Sequence, residues 1–376
     1  MIVSIITDVR IYKVGTSFYA ASAFYRILER YAKCFGKVNL ITRIVESNLI
    51  PKDYSVVDGF CNELINVYSI QHTFFSSNRK VNEAINDSDL VVLRLPSLVS
   101  IFLYKYVKRS KKVYLTEAMG CAWDAYWNHG LLGKIFAPYS FLKMRQIIKK
   151  ANYATYVTSF FLQKRYPCRK PSIGVSNVNI MKVYEPKCYD DLSKKRYSFI
   201  TAASLDVRYK GQQYMIKAIS LLKKRGVLCD YYLAGDGDKT YLNSIAKKYR
   251  VDEFVHFLGP VKHEDLLKTM QRYDFYIQPS LQEGLPRSVI EAMSCGCVCF
   301  GSNTAGIPEL LENKYIFKRK SVNSLANVVL KAIESGDFYE TSKRNIKESQ
   351  KYYSDVLDKK RYKYYEQIIR DLMGAK

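Results

Sequence analysis

The stretch EGLPRSVIEAMSCGCVCFGS, residues 283–302, sets two glutamates around the start of a helix and then runs into an apolar strand. At about 100° per residue, a helix over 286–295 puts Val289, Ile290, Ala292 and Met293 on one face and Arg287, Ser288, Glu291 and Ser294 on the other. Pro286 suits the first helical position and Gly296 the position just past the end. An Arg–Glu pair four apart on a solvated face needs no function. The setting supplies one. The helix follows a strand ending in Pro279-Ser280, through a loop containing Gly284. It therefore starts at the carboxyl end of a parallel strand, where open α/β sheets bind ligands. A helix N-terminus there offers backbone N–H groups to a phosphate. Glu283, in the loop, can accept hydrogen bonds from sugar hydroxyls, and Glu291 can hold the two hydroxyls of a ribose. The pattern fits a nucleotide sugar lying across a helix start.

Outward from this stretch, apolar runs alternate with amphipathic segments. Strands are expected at 2–7, 38–42, 90–94, 112–116, 153–158 and 172–176 in the first half. The helical pattern SFYAASAFYRILERYAK starts at Ser17. The polar stretch MKVYEPKCYDDLSKKR, residues 181–196, reads as a boundary. Strands then recur at 197–204, 229–235, 253–259, 274–280 and 297–300, with a helix over 212–225 ended by Gly226. Strand–helix alternation in each half predicts two α/β domains with parallel sheets. The expected division is 1–185, 186–350 and a last helix, 351–376, able to cross back to the first domain.

The order of segments ASLDVRYKGQQYMIKAI (203–219), LAGDGDKTYL (233–242), VHFLGPV (255–261) and LLKTMQRYDFYIQPSLQEGLPRSVIEAMSCGCVCFGSNTAGIPEL (266–310) resembles the retaining glycosyltransferases of family 4. The resemblance covers most of residues 197–311. It implies the GT-B fold, with two facing Rossmann-like domains and a cleft between them. It implies that Glu283 contacts the donor sugar and Glu291 the ribose, and that Gly284, Leu285 and Pro286 form the loop approaching sugar and diphosphate. It implies that Lys210 neutralises the leaving diphosphate, that Gly235 shapes the turn in LAGDGD, and that Gly15 and Thr16 approach the phosphate from the first domain. Two departures stand out. Ser204 occupies the place of a common arginine, with Arg208 as the nearby substitute. Glu117 occupies the place of a common histidine; it either orients or deprotonates the acceptor hydroxyl, or simply pairs with a nearby lysine. His129 is a weaker stand-in for that histidine, and Trp123, Asp124 and Trp127 suit either a sugar or lipid-headgroup pocket or plain packing.

The implied reaction is transfer with retention from a UDP- or GDP-sugar, without cofactor or metal, by front-face displacement and electrostatic stabilisation of the leaving group. No acidic DxD cluster stands in a suitable place, and Asp190–Asp191 falls in the boundary segment. A charge of +24 suits polyanions. Part of it clusters in KYVKRSKK (105–112) and KMRQIIKK (143–150), with apolar residues interleaved as on a membrane-surface helix or on any amphipathic helix. No segment reaches the roughly 20 apolar residues a transmembrane helix needs, and MIVSIITDVR reads as a strand rather than a secretion signal. The nine cysteines lack metal spacing and are expected to be reduced and buried, as in a cytosolic protein. The preferred acceptor is a lipid-linked saccharide in surface-polysaccharide synthesis, met at the cytoplasmic face of an anionic membrane. A soluble transferase on a small acceptor and a non-catalytic nucleotide-sugar or polyanion binder are the alternatives. No nucleic-acid motif is present.

Overall fold

The computed structural model describes residues 1–50, 52–67, 79–189 and 196–374. Asp190 and Asp191 lie outside the described residues. The chain divides into two compact units, Met1–Val175 with the chain from Lys359 onward, and Ser176–Asp358.

The first unit runs β1 (Ile2–Val14), β2 (Ser17–Ala21), α1 (Ser22–Phe35), β3 (Lys37–Glu46), β4 (Tyr54–Val56), β5 (Cys61–Asn66), α2 (Arg79–Asn86), β6 (Leu90–Leu95), α3 (Leu98–Ser110), β7 (Tyr114–Ala118), α4 (Ala122–Trp127), α5 (Gly130–Lys149), β8 (Tyr153–Tyr156), α6 (Phe161–Arg165) and β9 (Ser172–Gly174). Its parallel core has the order β5-β3-β1-β6-β7-β8-β9. Side-chain alternation sends Ile6, Val91 and Leu93 to one face, with Val99, Leu103, Met144 and Ile147 of α3 and α5. It sends Ile5, Leu90 and Val92 to the other, with Phe24, Leu28 and Tyr31 of α1. Such a sheet, covered on both faces, explains strands as uniformly buried as β6. β1 runs on past its bulge into an antiparallel hairpin with β2, which pairs β4. The segment Ser17–Ala21, expected as the start of a helix, is therefore a strand; pairing with β1 overrides its helical pattern, and α1 starts at Ser22.

The second unit runs β10 (Arg196–Ala202), α7 (Gln212–Lys224), β11 (Leu228–Ala234), α8 (Thr240–Lys248), β12 (Val255–Gly259), α9 (His263–Gln271), β13 (Phe275–Gln278), α10 (Arg287–Ser294), β14 (Val298–Ser302), β15 (Ile316–Phe317), α11 (Val322–Ser335) and α12 (Phe338–Gln350). All its strand pairs are parallel, in the order β12-β11-β10-β13-β14-β15. Phe199, Phe275 and Phe300 meet in its core at ring separations of 5.0 to 5.8 Å. Counted from β10, the order is 3-2-1-4-5-6, with its reversal between β10 and β13. Ligands bind such sheets beyond the carboxyl ends of the strands at that reversal.

The last helix, α13 (Ser354–Gly374), starts in the second unit. Its Tyr364, Tyr365, Ile368 and Leu372 belong to the first unit's core. Tyr364 donates its hydroxyl to Pro171 O at 2.6 Å and accepts from Ala154 N at 3.1 Å. No helix among the described residues is long and apolar enough to cross a membrane.

All nine cysteines are free thiols. Cys295, Cys297 and Cys299 are buried, and burial pushes the Cys297 thiol up to about 11. The expectation of burial fails at Cys188, which is exposed, and holds only in part at Cys34, Cys61 and Cys168.

Candidate active site

The loops after β10 and β13 meet at the strand reversal, and two glycines let them close. Gly211 follows the short turn Arg208–Lys210 with φ of 78°. A side chain there would put its Cβ 1.9 Å from Pro279 O, so only glycine lets the backbones touch. Leu281 N donates to Tyr209 O at 2.7 Å across the same contact. Gly235, after β11, presses on the loop after β10 in the same way; a Cβ would lie 2.0 Å from Ala203 O. Leu205 N donates to Asp236 O beside it. The Gln212 and Gln213 amides, in the first turn of α7, donate to Ser204 O and Arg208 O, each at 2.9 Å. These bonds fix the turn that carries Lys210.

That turn delivers Lys210 Nζ to Glu283 Oε1 at 2.8 Å. The same oxygen accepts from Ser280 Oγ at 2.8 Å and from Gln278 Nε2 at 3.1 Å. Gln278 is fixed in turn: its Oε1 accepts from Tyr276 OH at 2.6 Å and Ser288 Oγ at 3.2 Å. The carbonyl of Ser280 accepts from Thr304 Oγ1 at 2.8 Å and from Ser302 Oγ. Glu283 Oε2 accepts no hydrogen bond from the described residues. Three donors on one oxygen hold the carboxylate still.

Gly284, Leu285 and Pro286 link this carboxylate to α10. Gly284 O accepts from Gly306 N at 2.9 Å, and Leu285 is buried. Pro286 is the cap residue, so α10 begins one residue later than its sequence suggests, at Arg287. Glu291 and Ser294 are buried and Ser288 half-buried, leaving only Arg287 of that helix face exposed. The polar face of α10 is thus turned to protein, not to solvent. Burial above all, with the Glu291 charge a lesser contribution, holds the Tyr276 phenol well above its usual range. Arg208 lies over the Tyr241 ring at 4.4 Å, on the first turn of α8. Ser204 is exposed and donates to Asp206 at 2.7 Å.

In the first unit, Gly15 and Thr16 form the exposed turn of the β1–β2 hairpin, not a glycine loop directly at the sheet edge. They sit nine and ten residues beyond Ile6, the last residue of β1 paired with β6. Glu117, on β7, lies beside Arg94 in the strand register. Its Oε2 is 2.8 Å from Arg94 Nε, an ion pair by distance but without hydrogen-bond alignment. Its Oε1 accepts from Tyr31 OH at 2.7 Å. The partner is thus an arginine rather than a surface lysine. Both side chains are nearly inaccessible, at 4% for Arg94 and 9% for Glu117. A proton taken by Glu117 would leave the guanidinium buried beside a neutral group, which opposes the base role expected of it.

Sequence reasoning missed Gln278, Ser280, Gln212 and Gln213. Two of them carried a signal, being polar residues closing an otherwise apolar buried strand, FYIQPS. Among the described residues no group of three or more His, Cys, Asp or Glu gathers as a metal site would require.

Comparison with known proteins follows the same lines. Residues 191–352 match the family described as glycosyl transferases group 1. Protein CapJ of Staphylococcus aureus is 31% identical over 384 residues, covering 98% of this chain and 97% of CapJ. The chain belongs to the glycosyl transferases group 1 family. The N,N'-diacetylbacillosaminyl-diphospho-undecaprenol alpha-1,3-N-acetylgalactosaminyltransferase of Campylobacter jejuni is 23% identical over 235 residues, 58% of this chain and 59% of that enzyme. Sucrose-phosphate synthase of Thermosynechococcus elongatus superposes with a TM-score of 0.69 at 14% identity, covering all of both chains. HepE of Anabaena, solved with UDP-glucose, superposes with a TM-score of 0.64 at 14% identity, covering 100% of this chain and 99% of HepE. These likenesses establish the GT-B fold, as the sequence predicts.

Proposed function

We propose that the protein is a retaining, metal-independent transferase. It moves a sugar from a nucleoside-diphosphate sugar to a hydroxyl of a lipid-linked saccharide, in the building of a surface polysaccharide at the cytoplasmic face of the membrane. The observation that carries the reading is the Lys210–Glu283 pair at the strand reversal, held at 2.8 Å by loops that only glycine lets close. Glu283 orients the donor sugar through its second oxygen. Lys210, positioned by that same carboxylate, meets the diphosphate, and its charge stabilises the group as it leaves. The backbone N–H groups at the start of α10 add a partial positive charge to the same place. Glu291 takes the ribose hydroxyls. The departing phosphate accepts the acceptor's proton on the face it vacates, so catalysis is chiefly positioning and electrostatics. Support for a lipid-linked acceptor comes from the name of the Campylobacter relative, which places its own acceptor sugar on diphospho-undecaprenol. Support for a nucleotide donor comes from HepE, crystallised with UDP-glucose.

The test is thermal stabilisation by a panel of uridine and guanosine diphosphates and their sugars, on the wild type and on Glu291→Ala. A ligand at 100 times its Kd adds about 2.7 kcal/mol. Stabilisation by one base, lost in the variant, is the expected result and names the donor. No stabilisation by any nucleotide would overturn the reading. Transfer to a short saccharide on a lipid diphosphate, but not to the free sugar, then separates the lipid-linked acceptor from a small one.

A further inference from the structure

Helix α5 presents apolar side chains on the face turned away from its own core. Its buried face carries Ala137, Ser140, Met144, Ile147 and Ile148. On the opposite face Leu131, Leu132 and Ile135 are 77%, 80% and 69% exposed, and Phe136, Tyr139 and Leu142 are exposed beside them. At 100° per residue these six lie within a sector of about 140°. Single exposed leucines are ordinary, but a continuous stripe over three turns marks an interaction surface. The outward face then changes character. Arg145, Gln146, Lys149 and Lys150, all exposed, complete the helix and its cap.

The charge around the stripe says what covers it. From Ala125 to Val175 the sequence holds nine Lys and Arg residues and no Asp or Glu. Lys134 lies 5.9 Å from the centre of the Trp127 ring and Lys143 5.7 Å from that of Tyr139. Long cations and amphipathic rings at the margin of an aliphatic stripe suit a boundary that is oily on one side and anionic on the other. A second copy of the chain would set this positive charge against itself. A nucleic-acid groove would call for stacking rings rather than Leu and Ile.

We propose that α5 is an interfacial helix that seats its Leu131–Leu142 face at the headgroup–acyl boundary of an anionic bilayer, with Arg145, Lys149 and Lys150 among the headgroups. The helix starts on the carboxyl-end side of β7 in its own unit. Docking there brings the ligand-binding edge of the first sheet to the lipid surface, where a lipid-linked acceptor would be met. The inference deepens the lipid-linked reading above, but the docking itself requires neither donor nor acceptor.

The experiment uses the full chain and vesicles of phosphatidylglycerol and phosphatidylcholine in equal parts, against phosphatidylcholine alone. The chain's two tryptophans, Trp123 and Trp127, both lie in α4, and Trp123 meets Phe141 of α5 at 6.3 Å, so selectively excited tryptophan emission reports this region alone. The wild type should float with the anionic vesicles and shift its emission to the blue. The triple variant Leu131→Ser/Leu132→Ser/Ile135→Ser should lose about tenfold or more in partitioning, with unchanged circular dichroism, Tm and nucleotide stabilisation. Flotation of the variant equal to the wild type would overturn the proposal, as would a wild type that ignores anionic vesicles at physiological salt. A wild-type dimer that the variant dissolves, without vesicle binding, would assign the stripe to a second copy instead. Vesicle failure with intact nucleotide stabilisation leaves glycosyl transfer standing, and the converse leaves docking standing.

Discussion

Glu283 concentrates three donors on one oxygen, and the arrangement separates two roles that a lone acid could not. Oε1 holds Lys210, Ser280 and Gln278 in place, while Oε2 is the oxygen that the proposed reading assigns to the sugar. Lys210 is a quarter exposed and Glu283 a tenth, so their attraction is screened only in part and contributes about 1 kcal/mol or less to folding. On the proposed reading its worth lies in the transition state, where charge grows on the leaving diphosphate. Lys210→Ala should therefore lower kcat for transfer about 10²- to 10³-fold while Tm barely moves. Glu283→Gln keeps a hydrogen-bonding side chain but loses the charge that holds Lys210, and should lower kcat with a smaller change in donor KM. Steady-state kinetics with thermal melts on both variants decide it. Activity of Lys210→Ala within a few-fold of wild type would remove the lysine from the mechanism.

At the scale of elements, β6 and β7 carry a polar pair in an otherwise apolar sheet. Arg94 and Glu117 are register partners, with Tyr31 of α1 closing over the carboxylate. Burial, with the Glu117 charge next, drives the Tyr31 phenol far above its usual range, so it stays a donor. Glu117→Gln leaves a guanidinium buried without its counter-charge and should destabilise the first unit by about 3–5 kcal/mol. A double replacement of Arg94 and Glu117 by Met should recover much of the loss. Chemical denaturation of the three proteins reads this directly. A Glu117→Gln variant as stable as wild type but inactive would return Glu117 to a catalytic role. The contrast with α10 shows where sequence is informative. The loop-and-helix stretch from Glu283 to Gly296 was legible because its logic is local: a strand end, a glycine, a proline and a helical period. Glu117's partners come from residues 23 and 86 positions away, and no local pattern announces them. The β1–β2 hairpin was hidden for a similar reason, since the pairing of β2 with β1 outweighs the propensity of SFYAA.

For the whole molecule, alternation of strand and helix was enough to give two parallel α/β units. The strand order, and so the reversal between β10 and β13 that places the site, was not, because order depends on which crossovers pack together. Charge is the other property that belongs to the chain entire. A surplus of +24 is spread over two compact units whose described ion pairs are mostly exposed, as at Lys13–Glu46, Arg79–Glu83 and Lys223–Glu253. Such pairs contribute little each, whereas like charges repel across the whole surface and are crowded closer by folding. The Debye length falls from about 30 Å at 0.01 M salt to about 8 Å at 0.15 M, which shortens the reach of that repulsion below the spacing of most surface charges. Added sodium chloride should therefore raise Tm, by roughly 2–4 °C for each kcal/mol of repulsion removed from a unit of this size. A protein held by its surface pairs would soften instead. The measurement is a melt series in chloride at fixed pH, repeated with inorganic phosphate at matched ionic strength. Equal rises in the two salts would mark general screening. A larger, saturating rise in phosphate that Lys210→Ala abolishes would assign an anion site to Lys210 and the start of α10, and a fall of Tm in chloride would sink the repulsion argument.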